Sequence, residues 1–166
     1  MGTFLWRAGC ALVVGLMLAP AATARVGVNQ SLGFEWPANG MLTSPFGPRA
    51  GGFHPGIDIG SLGDLTVRAA SSGRVVGMGA LTGYEGYGDV VLLDIGGGMT
   101  TVYAHLGRAL ARAGELVVPG QTIGVAGCSG WCTGTHLHFE LRDHGRAIDP
   151  LPLFRLGYTA PAIPGG

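Results

Sequence analysis

Short apolar runs separated by glycine-rich turns recur along the chain, with a period of two in some of them, and helical spacing is nearly absent. Gly73 to Met78, Asp89 to Ile95 and Met99 to Leu106 each read as a short strand. The last two are joined across Gly96-Gly97-Gly98, a natural hairpin connection. Glu115 to Gly127 reads as two short strands about Pro119-Gly120. The sharpest pattern is Thr135 to Leu141. As a strand it puts His136, His138 and Glu140 on one face and Leu137, Phe139 and Leu141 on the other. Along Met99 to Leu106 the same rule places Thr101, Tyr103 and His105 together, with Val102, Ala104 and Leu106 opposite. The expected fold class is all-β, an antiparallel sheet of many short strands with Gly-rich turns.

Between the lead-in and the first of these strands the chain is turn-rich rather than alternating. In Phe53-His54-Pro55-Gly56-Ile57-Asp58, the Pro-Gly pair bars a regular helix, so a turn brings His54 and Asp58 together. Such a loop can offer two zinc ligands, or it can be a surface turn whose aspartate bonds backbone amides. Paired histidines two apart on a strand suit a metal site on a rigid support, but they also occur as polar filler. A histidine at the end of a strand, as His105 is, more often has an ordinary polar role. Gly83-Tyr84-Glu85-Gly86-Tyr87-Gly88 lacks the strand-to-helix context of a phosphate loop, and exposed tyrosines there could line a groove for an extended substrate.

Composition supports one domain. The 166 residues include 32 glycines with no period of three, which fits tight turns between strands. Ten basic residues, all arginine, balance ten acidic ones, and no basic tract marks nucleic acid as a partner. Residues 1–24 read as a secretory signal peptide. Arg7 is the charged start, Ala8 to Ala19 the short apolar stretch, and Ala22-Thr23-Ala24 the small-x-small cleavage pattern. An uncleaved anchor is the alternative. Residues 25–39 follow as an extended lead-in pinned by Phe34, Trp36 and Pro37, then one domain over 40–155 and a Pro/Gly-rich tail over 156–166.

Export changes how the cysteines are read. Cys10 falls inside the leader, so Cys128 and Cys132 remain, four apart, and an oxidising compartment favours a short loop-closing disulfide. Reduced thiols or a second metal site are the alternatives. A zinc finger combining them with His136 and His138 fails, because that motif needs about a dozen residues between its pairs.

Taken together, His54-Pro55-Gly56-Ile57-Asp58, Tyr103-Ala104-His105-Leu106 and His136-Leu137-His138-Phe139-Glu140 resemble, in this order, the LytM/lysostaphin-type zinc metallopeptidases of family M23. Ser44 to Arg49 and Val118 to Gly124 resemble that family's flanking text, and the likeness covers roughly residues 40 to 150. The resemblance implies an antiparallel β-sheet groove of the lysostaphin-like, duplicated hybrid type. It implies one zinc ion (Zn2+) per chain on His54, Asp58 and His138, with His105 and His136 as non-ligand catalytic histidines. Two imidazoles and one carboxylate leave an open fourth position, which suits acidified water as the nucleophile. One accessory histidine then takes a proton while the other stabilises the oxyanion. His136, fixed two residues from a ligand, is the favoured base.

The activity implied is hydrolysis of peptide bonds in bacterial peptidoglycan, by a periplasmic or secreted monomer whose partner is the wall peptide, with no membrane partner once the leader is removed. Two alternatives stand beside it: a non-catalytic regulator of other wall hydrolases, and a secreted peptidase for a non-wall substrate. Glu140 either orients a ligand or sits at the surface, and His144, in the turn-like Asp143-His144-Gly145, matches no functional position. The loop from Cys128 to Cys132 departs from the family's small-polar text. It is expected to stiffen one rim of the groove and to present Trp131 to substrate. Asn29 could play the inhibitory asparagine of the family's autoinhibited members, though no motif supports it.

Overall fold

The computed structural model describes residues 33–155. The expected leader over 1–24, Asn29 and the tail over 156–166 lie outside those residues. Among the described residues, the strands run β1 (Met41–Ser44), β2 (Gly47–Arg49), β3 (Gly52–His54), β4 (Ile57–Gly60), β5 (Thr66–Arg68) and β6 (Gly73–Ala80). They continue as β7 (Asp89–Gly96), β8 (Met99–Ala109), β9 (Leu116–Val117), β10 (Thr122–Ala126), β11 (Leu137–Asp143) and β12 (Arg146–Ile148), and a short helix α1 (Leu151–Arg155) follows. One sheet holds ten of these strands in the order β1-β4-β11-β8-β7-β6-β9, with β10 pairing β5 and β8 and β12 pairing β11. The remaining two, β2 and β3, form a separate hairpin. Every pairing is antiparallel, so the all-β antiparallel expectation holds.

The alternation that marks these strands sorts their side chains to two faces. One face carries the main core, in which Val91, Leu93, Tyr103, Leu106, Leu137, Phe139 and Leu141 pack with Ile57 and Ile59. Each such side chain contributes about 1.5–3 kcal/mol by leaving water. The other face carries Val90, Leu92, Val102 and Ala104, covered by Leu81, Tyr84 and Tyr87. The central strands are therefore apolar on both sides, which is why Val90-Val91-Leu92-Leu93 is continuous rather than alternating. Tyr103 is fully buried with its hydroxyl accepting the Ala70 amide at 2.7 Å, and burial pushes its pKa up to about 12. Phe34 and Trp36 from the lead-in stack edge-on against Phe154 of α1, at 5.8 and 5.0 Å between ring centroids.

Strict alternation fails in β8 at a position that matters for the groove. His105 adopts φ +57°, and the pairing of β8 with β7 slips between Val91↔Tyr103 and Asp89↔Leu106. One residue is inserted as a β-bulge, which re-aims the side chains beyond it. Leu106 thereby joins Tyr103 in the main core, and His105 turns to the opposite side, 5.8 Å from the His138 ring. The expected grouping of Thr101, Tyr103 and His105 on one face, with Leu106 opposite, is thus overturned.

The turn between β3 and β4 also has a packing reason. A Cβ on Gly56 would overlap the Phe139 carbonyl oxygen and lie 2.8 Å from Glu140 Cγ, so only glycine lets this segment touch β11. Gly56→Ala is expected to destabilise the chain by about 1–3 kcal/mol, the usual range for overpacking, read from the denaturant midpoint. An unchanged midpoint would contradict this contact.

Candidate metal centre

The register of two strand pairings assembles the centre. On β11, His138 pairs with Asp58 of β4 on one side and with Ala104 of β8 on the other. His54, at the end of β3, is carried to the same point by the Pro55-Gly56 turn. His54 Nε2, His138 Nδ1 and Asp58 Oδ1 form a triangle. Its sides are 3.1 Å between the nitrogens, 2.8 Å from Asp58 to His138 and 3.2 Å from Asp58 to His54. These are the three residues whose ligand atoms lie mutually within 4.8 Å among the described residues. They are the three to which the family resemblance assigns the ligand role, and the structure brings them together.

The outer nitrogen of each histidine in the triangle is already committed. His54 Nδ1 donates to the Pro45 carbonyl at 2.7 Å, and His138 Nε2 donates to Glu140 Oε1 at 3.0 Å. The two facing nitrogens therefore carry lone pairs, and the third corner is a carboxylate. Three electron-rich atoms held this close, with no donor between them, are satisfied by a cation, and two imidazoles with one carboxylate fit zinc with a fourth position open.

Electrostatics agree in sign. Burial works to raise the Asp58 carboxyl, but the His138 and His54 rings beside it outweigh that and hold the group well below the usual carboxylate range. Burial works to lower His138, and the carboxylates of Asp58 and Glu140 outweigh that and raise it. His138 thus sits between two anions, where a proton or a metal cation is favoured.

Glu140 is fully buried, so the surface role left open by the sequence is ruled out. Besides His138, it accepts the Tyr87 hydroxyl at 2.7 Å and Arg142 Nε at 2.5 Å. Arg142 also donates to the hydroxyls of Tyr84 and Tyr87, at 3.1 and 3.2 Å. Its guanidinium lies 5.3 and 5.7 Å from the centroids of those rings. Burial would raise Glu140, but His138, Arg142 and Tyr87 together keep it ionised. Burial and the Glu140 charge push the Tyr87 hydroxyl up to about 12, so it remains a donor. The tyrosines expected to be exposed along a groove are half-buried instead. Tyr87 does line the groove, yet both hydroxyls serve this network. Sequence reasoning missed Arg142, although its place two residues from Glu140 on β11 puts both on one face.

His105 and His136 face the same space. Their ring centroids are 4.8 Å apart, and His136 Nε2 lies 3.6 Å from Asp58 Oδ1. His105 Nδ1 donates to the Ser129 carbonyl and His136 Nδ1 to the Gly134 carbonyl, both at 2.8 Å, which leaves each Nε2 toward the groove. Burial holds His105 below the ordinary histidine value. The groove has a volume of about 440 Å³, and Arg49, Glu85, Tyr87, Trp131 and Thr133 extend its walls beyond the histidines and Asp58. Trp131 is 87% exposed and stands on the loop that the Cys128–Cys132 disulfide closes. His144 is exposed in the β11–β12 turn, away from the centre.

Residues 52–150 match Peptidase family M23, and the chain belongs to this family. It is 41% identical over 120 residues to the lipoprotein NlpD/LppB homolog of Pseudomonas aeruginosa, covering 72% of this chain and 39% of that protein. It is 34% identical over 118 residues to the murein hydrolase activator NlpD of Escherichia coli, covering 71% of this chain and 30% of that one. The chain thus spans less than two fifths of the length of either relative. The catalytic domain of the antimicrobial peptidase lysostaphin from Staphylococcus simulans superposes with a TM-score of 0.63 at 31% identity, over 70% of this chain and 93% of that domain.

Replacing Glu140 by glutamine removes the charge behind His138 while keeping its shape. Zinc affinity, measured by competition with a chromophoric chelator, is expected to fall about ten- to a hundredfold. Unchanged affinity would show that Glu140 does not tune the ligand.

Proposed function

We propose that the chain is a zinc-dependent endopeptidase of the cell envelope, periplasmic or secreted, that hydrolyses peptide crosslinks or stem peptides of peptidoglycan as a monomer. The observation that carries this reading is the convergence of His54, Asp58 and His138 with both His105 and His136 on one open groove. The wall as substrate is supported by the relatives, one of which is named for activating murein hydrolases.

His54, Asp58 and His138 would hold the metal. Zinc supplies Lewis acidity there, polarising a carbonyl and bringing the pKa of water to about 7. His136 is assigned as the proton acceptor. Its Nε2 lies 3.6 Å from Asp58 Oδ1, beside the position the metal would take. His105, made less basic by burial, stands beside His136 with the ring centroids 4.8 Å apart and would stabilise the oxyanion of the reacting carbonyl. The walls of the groove align an extended peptide, with Trp131 in contact with it. Glu140 and Arg142 keep the His138 ring fixed throughout.

One observation favours a second reading, a non-catalytic activator of other wall hydrolases: the names of the NlpD relatives. The two separate when purified peptidoglycan is treated with this chain alone and the released fragments are weighed by mass spectrometry. The wild type is expected to release cleaved peptides, and His138→Ala to release none and bind no zinc. His105→Ala is expected to keep its metal and turn over about 10²- to 10⁴-fold more slowly. Identical digests from the wild type and His138→Ala would favour the activator.

A further inference from the structure

The four histidines around the groove fall into two pairs by what holds them. The ligands His54 and His138 are oriented by Pro45 and Glu140, which lie on other parts of the fold. The non-ligands His105 and His136 are both oriented from the loop that follows β10. Ser129, inside the disulfide-closed ring, gives its carbonyl to His105. Gly134, two residues beyond Cys132, gives its carbonyl to His136, and its amide donates to Cys132 Sγ at 3.4 Å.

The two arms of this loop are fastened differently. On the first arm, Ser129 Oγ donates to the Leu106 carbonyl at 2.7 Å and accepts the Asp89 amide at 2.9 Å. The Trp131 amide donates to the Gly86 carbonyl at 2.9 Å, and Gly130 packs so tightly on Gly88 that a Cβ would overlap the Gly88 amide. On the second arm, Thr133, Gly134 and Thr135 are exposed. At its far end the His136 amide donates to the Gly127 carbonyl at 3.3 Å, which pins the His136 backbone, and the bond between Cys128 and Cys132 ties the exposed stretch before it, with the Gly134 carbonyl, to the anchored first arm.

We propose that the Cys128–Cys132 disulfide is a positioning element for the two non-ligand histidines, and for His136 above all, while the metal ligands are independent of it. This rests on the peptidase reading given above. Opening the disulfide releases the Gly134 carbonyl, so the His136 ring loses the contact that fixes its tautomer and direction. His105 is held longer, because Ser129 keeps its own bonds to β7 and β8. A base misplaced by about 1 Å loses on the order of a hundredfold in rate, whereas the metal triangle has no member on this loop.

The test compares the zinc-loaded full chain in three forms: oxidised, treated with a phosphine, and Cys128→Ser/Cys132→Ser. The phosphine becomes its oxide, with oxygen from water, as two thiols form. The readouts are kcat and KM on a muropeptide, zinc affinity by chelator competition, and ¹⁵N spectra of the histidine rings. Both opened forms are expected to keep zinc affinity and KM while kcat falls about ten- to a hundredfold. His136 should pass from one Nδ1–H tautomer to a mixture while His138 is unchanged, and reoxidation of the phosphine-treated chain should restore both signals and rate. Unchanged kcat, or zinc affinity that falls with kcat, would overturn the proposal. If the serine variant does not fold, the phosphine-treated and reoxidised wild type carries the test. If the oxidised chain has no turnover, the peptidase reading fails separately and the spectra decide: an unchanged His136 on reduction overturns the positioning role.

Discussion

The centre exists in only one register of β4 against β11. Asp58 stands opposite His138 because Ile57 and Ile59 stand opposite Phe139 and Leu137, and those four side chains belong to the fully buried core. A slip of one residue would send the isoleucines to the groove and Asp58 into the core, an exchange that costs several kcal/mol in lost burial and a stranded charge. The core therefore fixes the distance between two of the candidate ligands. Gly56 adds the third by letting the His54 turn lie against β11 without a side chain between them.

Glu140 shows how the same strand extends that control outward. A carboxylate with no exposed surface requires a bond to each oxygen, and here His138 and Tyr87 share one while Arg142 holds the other. The ion pair with Arg142 keeps the acid charged, and the charged acid sets the nitrogen through which His138 faces the metal triangle. Tyr84 and Tyr87 flank the guanidinium and shield it. The order Arg142, Glu140, His138 is thus one chain of interactions from the covered face of the sheet to the floor of the groove.

Much of this was legible in the sequence. Short apolar runs bounded by glycine marked the long strands β6 and β7, alternation marked β8 and β11, and three short motifs, through the family resemblance, pointed to His54, Asp58 and His138. The strands β1 to β5 were not legible, because each is four residues or fewer and the stretch is broken by Pro and Gly. Their pairing is settled by distant partners rather than by local pattern. The face of His105 was missed because a positive φ is a backbone state that histidine side chains do not announce, and a bulge defeats counting by two. The partnership of Tyr87 with Glu140 spans 53 residues, beyond any periodicity. The disulfide was favoured from export and spacing, but its link to two histidines needed the positions of the Ser129 and Gly134 carbonyls.

The claim on which all of this rests is that the triangle of His54, Asp58 and His138 takes one zinc ion with a position left open. X-ray absorption at the zinc edge of the loaded chain tests it most directly. The account predicts one zinc per chain in four-coordinate nitrogen and oxygen surroundings, with distances of about 2.0–2.2 Å and two imidazole signatures. Sulfur scattering at about 2.3 Å, which would place the metal on Cys128 and Cys132, would contradict it.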